Sequence, residues 1–496
     1  MVKRNLSDEY VKEIQMKNLD SLFKNSQPMI FDKQEAPLIR YSKRANARRI
    51  VDHGYITLPR IYQEVFLDSL KNLLVTQDYD TILQALDSGG GPWGDWLAAI
   101  HQRQKGYHKE ATHAFEECIA DLYDGFLSMQ ERKGIKPPDH QTISPLVEWG
   151  RSEWGPYTWP ATTGTKIGMK MSVVSMPPAY SKNIALWAAL GHEAGGHDIL
   201  HADKGLLNEI GNAVETEILK HENDPKLKKQ KAIVNGREKP LTICAAAYWK
   251  YAIDETASDV CGVLNLGPSA GIGLANLLIP LRKMSLYNSS PSSSFHPIDA
   301  LRILLAADVV RELPDLDVKI ADAWSNLLEN IVDKYIPKKK EFILYTQTSS
   351  DQVHGDDKMP YEGMRETVKI VADTIAFTPL ESLDNHPLSE INTWANEDEI
   401  ITMRITDDLI AEKEPSIKPQ TYEGDIYAAH ILAGAIIALA KAADISATTN
   451  LAIKALNKLH DNNPVWRGFP VRFRSDAHLH HMVPSYRKDI PLNPSF

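Results

Sequence analysis

The segment 186–203 (LWAALGHEAGGHDILHAD) constrains the fold more than any other part of this 496-residue chain. It has the apolar pattern of a buried helix and carries His192, Glu193 and His197 in the arrangement H-E-x-x-x-H. Residues five apart on a regular α-helix point about 140° away from each other, since each residue adds roughly 100°. The two imidazoles therefore meet only where the helix holds one extra residue, and this spacing predicts a local bulge.

Gly195 and Gly196 lie at the position of the predicted bulge. Two glycines inside a helix cost about 1–2 kcal/mol relative to alanine, so another interaction has to compensate them. We interpret the pair as the place where the backbone departs from helical values, with a bound metal ion as the compensation. Apart from one inserted residue, the pattern resembles the H-E-x-x-H motif of zinc peptidases.

A second segment, 251–264 (YAIDETASDVCGVL), offers a further ligand. Glu255 and Asp259 are four residues apart on an otherwise apolar helical pattern, so they share one face. A zinc site with two histidines takes a third protein ligand, and a glutamate completes a His₂Glu set. We expect one Zn²⁺ per chain. Asp259 is expected to accept the second ring N–H of a ligating histidine, and Asp254 to serve the other histidine or a substrate amine.

Together these segments resemble the dipeptidyl peptidase III family of zinc exopeptidases. That family has H-E-x-x-G-H followed, on a later helix, by E-E-C-R-A-E; here the two read HEAGGH (192–197) and DETASD (254–259). The resemblance covers about 120 residues, from 185 to 310, and departs from the pattern by lacking Cys-Arg in the second motif. It implies a zinc-dependent metallopeptidase that hydrolyses peptide bonds of short peptides.

The resemblance also implies a role for each matching residue: zinc ligands at His192, His197 and Glu255, a general base at Glu193, a supporting carboxylate at Asp259, and a substrate-holding pair at His296 and Arg302. In such a site the metal activates a water molecule, and the general base accepts its proton and later delivers it to the leaving amine. Tyr248 is an alternative to His296 for the developing oxyanion. Exopeptidase and endopeptidase action both remain open.

The rest of the chain predicts a mainly α fold, in which a zincin-like helical metal-site domain with a minor β element is flanked by helical segments. Strands are expected at 166–173, where apolar and polar residues alternate, and at about 340–346. The first of these is a candidate edge for pairing with an extended peptide. Four regions are predicted: an N-terminal helical region (1–150), a zinc-binding catalytic domain (151–340), a mixed linker or lobe (341–424), and a C-terminal helical segment with a tail (425–496). The third region is expected to contain polar linkers at 346–360 and 412–424.

Composition narrows the class of partner. Acidic residues outnumber basic ones by 65 to 55, giving a net charge of −10, so the chain has no bulk attraction for nucleic acid or an anionic membrane. The uncharged run 262–281 is interrupted by prolines and glycines, which favours buried helix over a membrane span. Three widely spaced cysteines make no disulfide framework. We therefore expect a cytoplasmic protein acting on short peptides; the oligomeric state stays open.

Two other functions remain open. Glu193, His197 and His201 follow one another at four-residue spacing, and Asp198-x-x-His201 is a variant of the spacing in helical di-iron sites, so a carboxylate/His di-metal oxidase is one alternative. A catalytically silent, peptidase-like binding module is the other. A C-terminal histidine run is either a surface tail or a further metal or substrate site: His478, His480 and His481.

Overall fold

A computed structural model describes most of the chain between residues 7 and 463. The described residues are 7–33, 92–127, 132–165, 171–281, 296–336, 341–416 and 426–463, with gaps at 133, 141–142, 151, 153–154 and 350–351, and with 58, 59, 62, 63, 65, 286 and 287 as isolated positions.

Helices make up most of the described chain, as the sequence predicts. Helices α1 to α17 are, in chain order, Glu9–Lys12, Met16–Ile30, Pro92–Lys105, Lys109–Leu127, Ala161–Thr165, Ala189–His192, Leu206–Lys220, Leu241–Tyr251, Ile253–Leu266, Pro268–Leu281, Asp299–Arg311, Val318–Tyr335, Tyr361–Phe377, Leu388–Ile391, Asn396–Ile410, Ala428–Ala440 and Ile445–Asn462. A π-helical turn, Glu193–Asp198, follows α6 directly. Short 3₁₀ helices lie at Pro178–Lys182, Ile184–Ala188, His221–Asn223 and Glu381–Leu383.

Two small sheets accompany the helices. Strands β1 to β7 are Leu146–Trp149, Tyr157–Trp159, Val173–Met176, Lys231–Val234, Arg237–Pro240, Phe342–Ser349 and Gln352–Pro360. In the first sheet β3 is central, parallel to β1 and antiparallel to β2. The second sheet is antiparallel throughout and has the order β5-β4-β7-β6.

Apolar periodicity explains how the helices pack. In α12, Ile320, Trp324, Leu328 and Ile331 are buried at three- and four-residue spacing, which is one face of a helix. Its first turn is capped by Asp317, whose side chain accepts the backbone N–H groups of the next turn. By contrast, every residue of α16 except one is buried, so this helix lies inside the core. One continuous cluster of buried apolar side chains extends along the described chain from the first helix to the last.

The apolar run 262–281 forms two buried helices, α9 and α10, instead of one long helix. Gly267 separates them with a φ of +56°, and a Cβ there would lie 2.6 Å from the Trp394 ring. Glycine is required at this junction because any side chain would meet both a strained backbone and the indole. Among the described residues, no helix is both long enough and apolar enough to cross a membrane.

Two predicted β features need correction. Of the strand predicted at 166–173, residues 166–170 lie outside the described part, and among the described residues the strand β3 covers Val173–Met176. β3 has a neighbour on each side and offers no free edge to a peptide, while residues 166–170 of the predicted edge lie outside the described residues. The polar stretch 346–360, predicted as a linker, largely forms the β6–β7 hairpin, and β7 also pairs with β4. The short strand predicted near 340–346 is confirmed by β6.

A fully buried ion pair anchors the chain just after the histidine motif. Arg132 donates from Nη1 and Nη2 to the two carboxylate oxygens of Asp203, at 3.1 and 2.6 Å, and both side chains are 0% exposed. Nε of the arginine donates to the Phe126 carbonyl at 3.1 Å, so α4 is tied to the segment that follows the motif. Removing either residue would leave the charge of the other buried without a partner, which is very unfavourable.

Replacing Asp203 with alanine is expected to lower the free energy of unfolding by about 3–5 kcal/mol, because Arg132 is left buried and uncompensated. Thermal and urea denaturation measure this loss. The matched control is Lys220→Ala, which removes the exposed Lys220–Glu217 pair and is expected to cost at most about 1 kcal/mol. Equal small effects from both variants would contradict the structural role of the buried pair.

Candidate metal centre

The helix that carries the two motif histidines contains a π-helical turn. Residues Glu193–Asp198 form this turn, with α-helical backbone before and after it. A π turn adds one residue to the helical repeat, so residues five apart come to the same side. His192 and His197 accordingly lie together, with ring centroids 4.6 Å apart and planes at 86°. The bulge predicted from the five-residue spacing is confirmed.

The glycine pair has a packing reason. A Cβ on Gly196 would lie 2.5 Å from Cα of Ser258, and one on Gly195 would lie 2.9 Å from Nδ2 of Asn265. Both neighbours belong to α9, so the glycines allow the π turn to approach that helix closely. The close contact between the π turn and α9 thus offsets the cost of the two glycines.

The carboxylate of Glu255, on α9, is the centre of the cluster. Its Oε2 lies 3.2 Å from Nε2 of His192 and 3.0 Å from Nε2 of His296, and its Oε1 lies 3.6 Å from Nε2 of His197. Ligand atoms of His192, Glu255 and His296 all fall within 4.8 Å of one another, so this group could hold a metal ion. Both motif histidines thus lie close to Glu255, but among the described residues the group that could hold a metal ion contains His296 where the sequence predicted His197.

The two motif histidines are each oriented by a carboxylate. Nδ1 of His192 lies 2.8 Å from Oδ1 of Asp259, and Nδ1 of His197 lies 2.9 Å from Oδ1 of Asp254. A ring that donates Nδ1–H to a carboxylate presents its Nε2 lone pair on the other side, as metal-ligating histidines do. The second oxygen of Asp254 also contacts Nε2 of His201 at 3.3 Å.

Arg302, on α11, lies behind the histidines. Its Nε and Nη2 donate to the two oxygens of Asp259 at 2.7 and 2.9 Å, and both residues are buried. The resemblance implied that this arginine holds the substrate. In the structure its hydrogen bonds fix the carboxylate that orients His192, although the residue also lines the cavity described below.

The local field favours positive charge at the imidazoles. Burial would raise the pKa of Asp259, but Arg302 outweighs it and lowers the pKa to about 2. Burial would lower the pKa of His192, but the charge of Asp259 and the contact with Glu255 raise it to about 10. Glu255, despite burial, has its pKa held well below the usual range by His192 and His296. A field that stabilises imidazolium ions at this place also stabilises a divalent cation.

Glu193 is buried beside the cluster and is held by the first sheet. Oγ1 of Thr158, on β2, donates to Oε2 of Glu193 at 2.8 Å and lies 3.0 Å from its backbone carbonyl. Sequence reasoning missed Thr158, because the contact joins a strand to a helix 35 residues later and no local pattern signals it. A cavity of about 590 Å³ opens onto these groups and is lined by His192, Glu193 and His296.

Other predicted candidates lie in different surroundings. Both oxygens of Asp198 accept hydrogen bonds, from the Ala161 N–H at 3.0 Å and the Ser172 hydroxyl at 2.8 Å, and burial raises its pKa. The Tyr248 hydroxyl accepts the backbone N–H of Ile298 at 2.7 Å, at the start of α11. The histidine run of the C-terminal tail lies outside the described residues: His478, His480 and His481.

No protein family, curated protein or solved structure was found to match this chain. The site's own geometry is that of a half-buried His/Glu cluster that could hold a metal ion, beside a second glutamate and open to a cavity.

Proposed function

We propose that this chain is a zinc-dependent metallopeptidase of the dipeptidyl peptidase III type, with a zincin-like helical metal site, acting on short peptides. One observation carries the proposal: three imidazoles direct Nε2 at the single carboxylate of Glu255, within 3.0–3.6 Å, while Glu193 lies next to the first histidine. The resemblance in sequence motifs supports the same assignment.

The donor set fits zinc. Oε2 of Glu255 is buried and has no partner in hydrogen-bond geometry among the described residues, even though two imidazole nitrogens lie within 3.2 Å of it. Such an atom is satisfied by a cation lying between the carboxylate and the rings. His192, His197 and Glu255 would hold the ion, a His₂Glu set that zinc hydrolases use, and this set requires Nε2 of His197, now 3.6 Å from Oε1 of Glu255, to move closer to the other two ligands. When bound there, zinc would supply Lewis acidity that makes water a nucleophile near neutral pH.

Glu193 is the general base in this proposal. Its carboxylate lines the cavity and is fixed through Oε2 by the Thr158 hydroxyl, which leaves Oε1 to accept a proton from the attacking water. The same group then returns the proton to the nitrogen of the departing amine, so that one residue serves both steps. His296 lies on the cavity side of Glu255, where it can donate a hydrogen bond to the oxygen of the substrate carbonyl.

The remaining charged residues act through the ligands. Asp259 and Asp254 orient the two motif histidines, and Arg302 orients Asp259. We infer that Arg302 is a positioning residue. The di-metal oxidase is less well supported, because both oxygens of Asp198 are already used by Ala161 and Ser172.

A peptide-digestion experiment tests the function. The zinc-loaded protein is incubated with a mixture of peptides of four to ten residues, and mass spectrometry follows the products. We expect cleavage that a chelator stops and added zinc restores; release of N-terminal dipeptides would match the exopeptidase type. Zinc-loaded protein that leaves every peptide intact would contradict the proposal and favour a binding module.

A further inference from the structure

The cavity that contains the candidate catalytic residues has a second wall that is apolar. Six residues of helix α10 border the cavity, and the four of them that are not buried follow at spacings of four, three and four, which places them on one helical face. These positions are only partly covered in an otherwise buried helix, and Leu281 is 37% exposed. The four residues are Ala270, Leu274, Leu277 and Leu281. We call this face the leucine wall.

The end of α2 forms another part of the cavity wall. Ile30 and Phe31 line the same cavity, and Phe31 is 47% exposed. The two helices pack against each other, and the Gln27 side chain donates to the Pro280 carbonyl at 3.5 Å, so the walls are fixed relative to one another. Asp32 and Lys33 follow directly and supply the polar rim.

The leucine wall and the candidate catalytic residues belong to one continuous cavity, so a single substrate can contact both. The leucine wall and the catalytic residues border one space of about 590 Å³, within the range of small-molecule and peptide sites, roughly 300–1,000 Å³. A substrate whose carbonyl group lies beside Glu193 therefore presents its neighbouring group to the leucines. Apolar surface left in a water-filled cavity is unfavourable, and an apolar substrate group relieves that cost by covering it.

We propose that the site selects substrates with a bulky apolar side chain, such as leucine or phenylalanine, next to the bond that is cleaved. This specificity rests on the proposed function. The polar rim of Asp32 and Lys33 then faces the more distant, charged part of the peptide.

The test compares matched peptides that carry leucine or alanine beside the cleaved bond. We expect kcat/KM to favour the leucine peptide by roughly 10- to 100-fold, since a few methylene groups in an apolar pocket give discrimination of this size. Leu277→Asn is expected to reduce that ratio at least about fivefold. Leu219→Asn, at a 39% exposed leucine of α7, serves as the control and is expected to leave the ratio unchanged.

Calorimetry on the Glu193→Gln protein separates this inference from the proposed function, because it measures binding without turnover. Tighter binding of the leucine peptide than of the alanine peptide, weakened by Leu277→Asn, would support the inference even if no peptide is hydrolysed. Equal binding of the two peptides, no binding of either, or a preference that Leu277→Asn leaves intact would overturn it. Equal binding is also the result expected if another segment of this chain covers the leucine wall.

Discussion

Glu193→Gln is expected to reduce peptide hydrolysis by about 10²–10⁴-fold while leaving the zinc content unchanged. The amide keeps the size of the side chain and can still contact the Thr158 hydroxyl, but it accepts no proton from water. Glu193 is not one of the proposed ligands, so metal binding has no reason to weaken. Steady-state kinetics and elemental analysis of the same preparation measure both quantities.

The control for this variant is Glu222→Gln, at an exposed glutamate that belongs neither to the cluster nor to the cavity lining, which should keep full activity. Glu193→Gln with activity near the wild-type level would exclude this residue as the base. Loss of zinc together with activity would instead show that Glu193 helps to hold the ion, and the assignment of ligands would have to change.

Gly196→Ala is expected to destabilise the protein by about 1–3 kcal/mol and to lower its affinity for zinc. The new methyl group would lie 2.5 Å from the Ser258 Cα, a backbone atom, so the π turn and α9 have to move apart. That movement separates His192 and His197 from Glu255, because the histidines lie on one of these helices and the glutamate on the other. Thermal denaturation with and without zinc measures both effects.

Gly211→Ala provides the matched control. Gly211 lies inside α7, where a Cβ would have its closest contact at 3.5 Å, an ordinary van der Waals distance. This change is expected to be neutral or to stabilise the protein by up to about 1 kcal/mol, since alanine favours helix. If Gly196→Ala behaves like Gly211→Ala, the close approach of the two helices is not what requires glycine.

The residues that the sequence could predict are related by local spacing. A separation of five between His192 and His197 demands a bulge, and a separation of four between Glu255 and Asp259 places both carboxylates on one face of α9. Once the bulge forms, the close contact of the two helices brings Asp259 to Nδ1 of His192. The bulge and the shared face of the two carboxylates follow from helix geometry alone, whereas the contact between Asp259 and His192 also requires the two helices to pack together.

The residues that the sequence could not predict depend on tertiary contact. Thr158 reaches Glu193 only because β2 pairs with β3 beside the π turn, and nothing in its neighbourhood distinguishes it from other threonines. His296 was predicted as a site residue through the family resemblance alone, and its 3.0 Å approach to Glu255, 41 residues earlier, depends on the packing of α11 on α9. The second strand of the β6–β7 hairpin was missed for a related reason: QVHGDDKMP lacks an apolar alternation, and its pairing partners supply the order.

The central claim is that Glu255 and the motif histidines hold zinc, and elemental analysis of the purified protein tests it most directly. Protein made without an affinity tag or added metal is expected to contain about one zinc ion per chain. Glu255→Ala is expected to lose the metal while the far-ultraviolet circular dichroism of a helical protein persists, with Glu222→Ala as the matched control. Protein that contains no zinc even after zinc is offered, or a Glu255→Ala variant with undiminished zinc, would contradict the account.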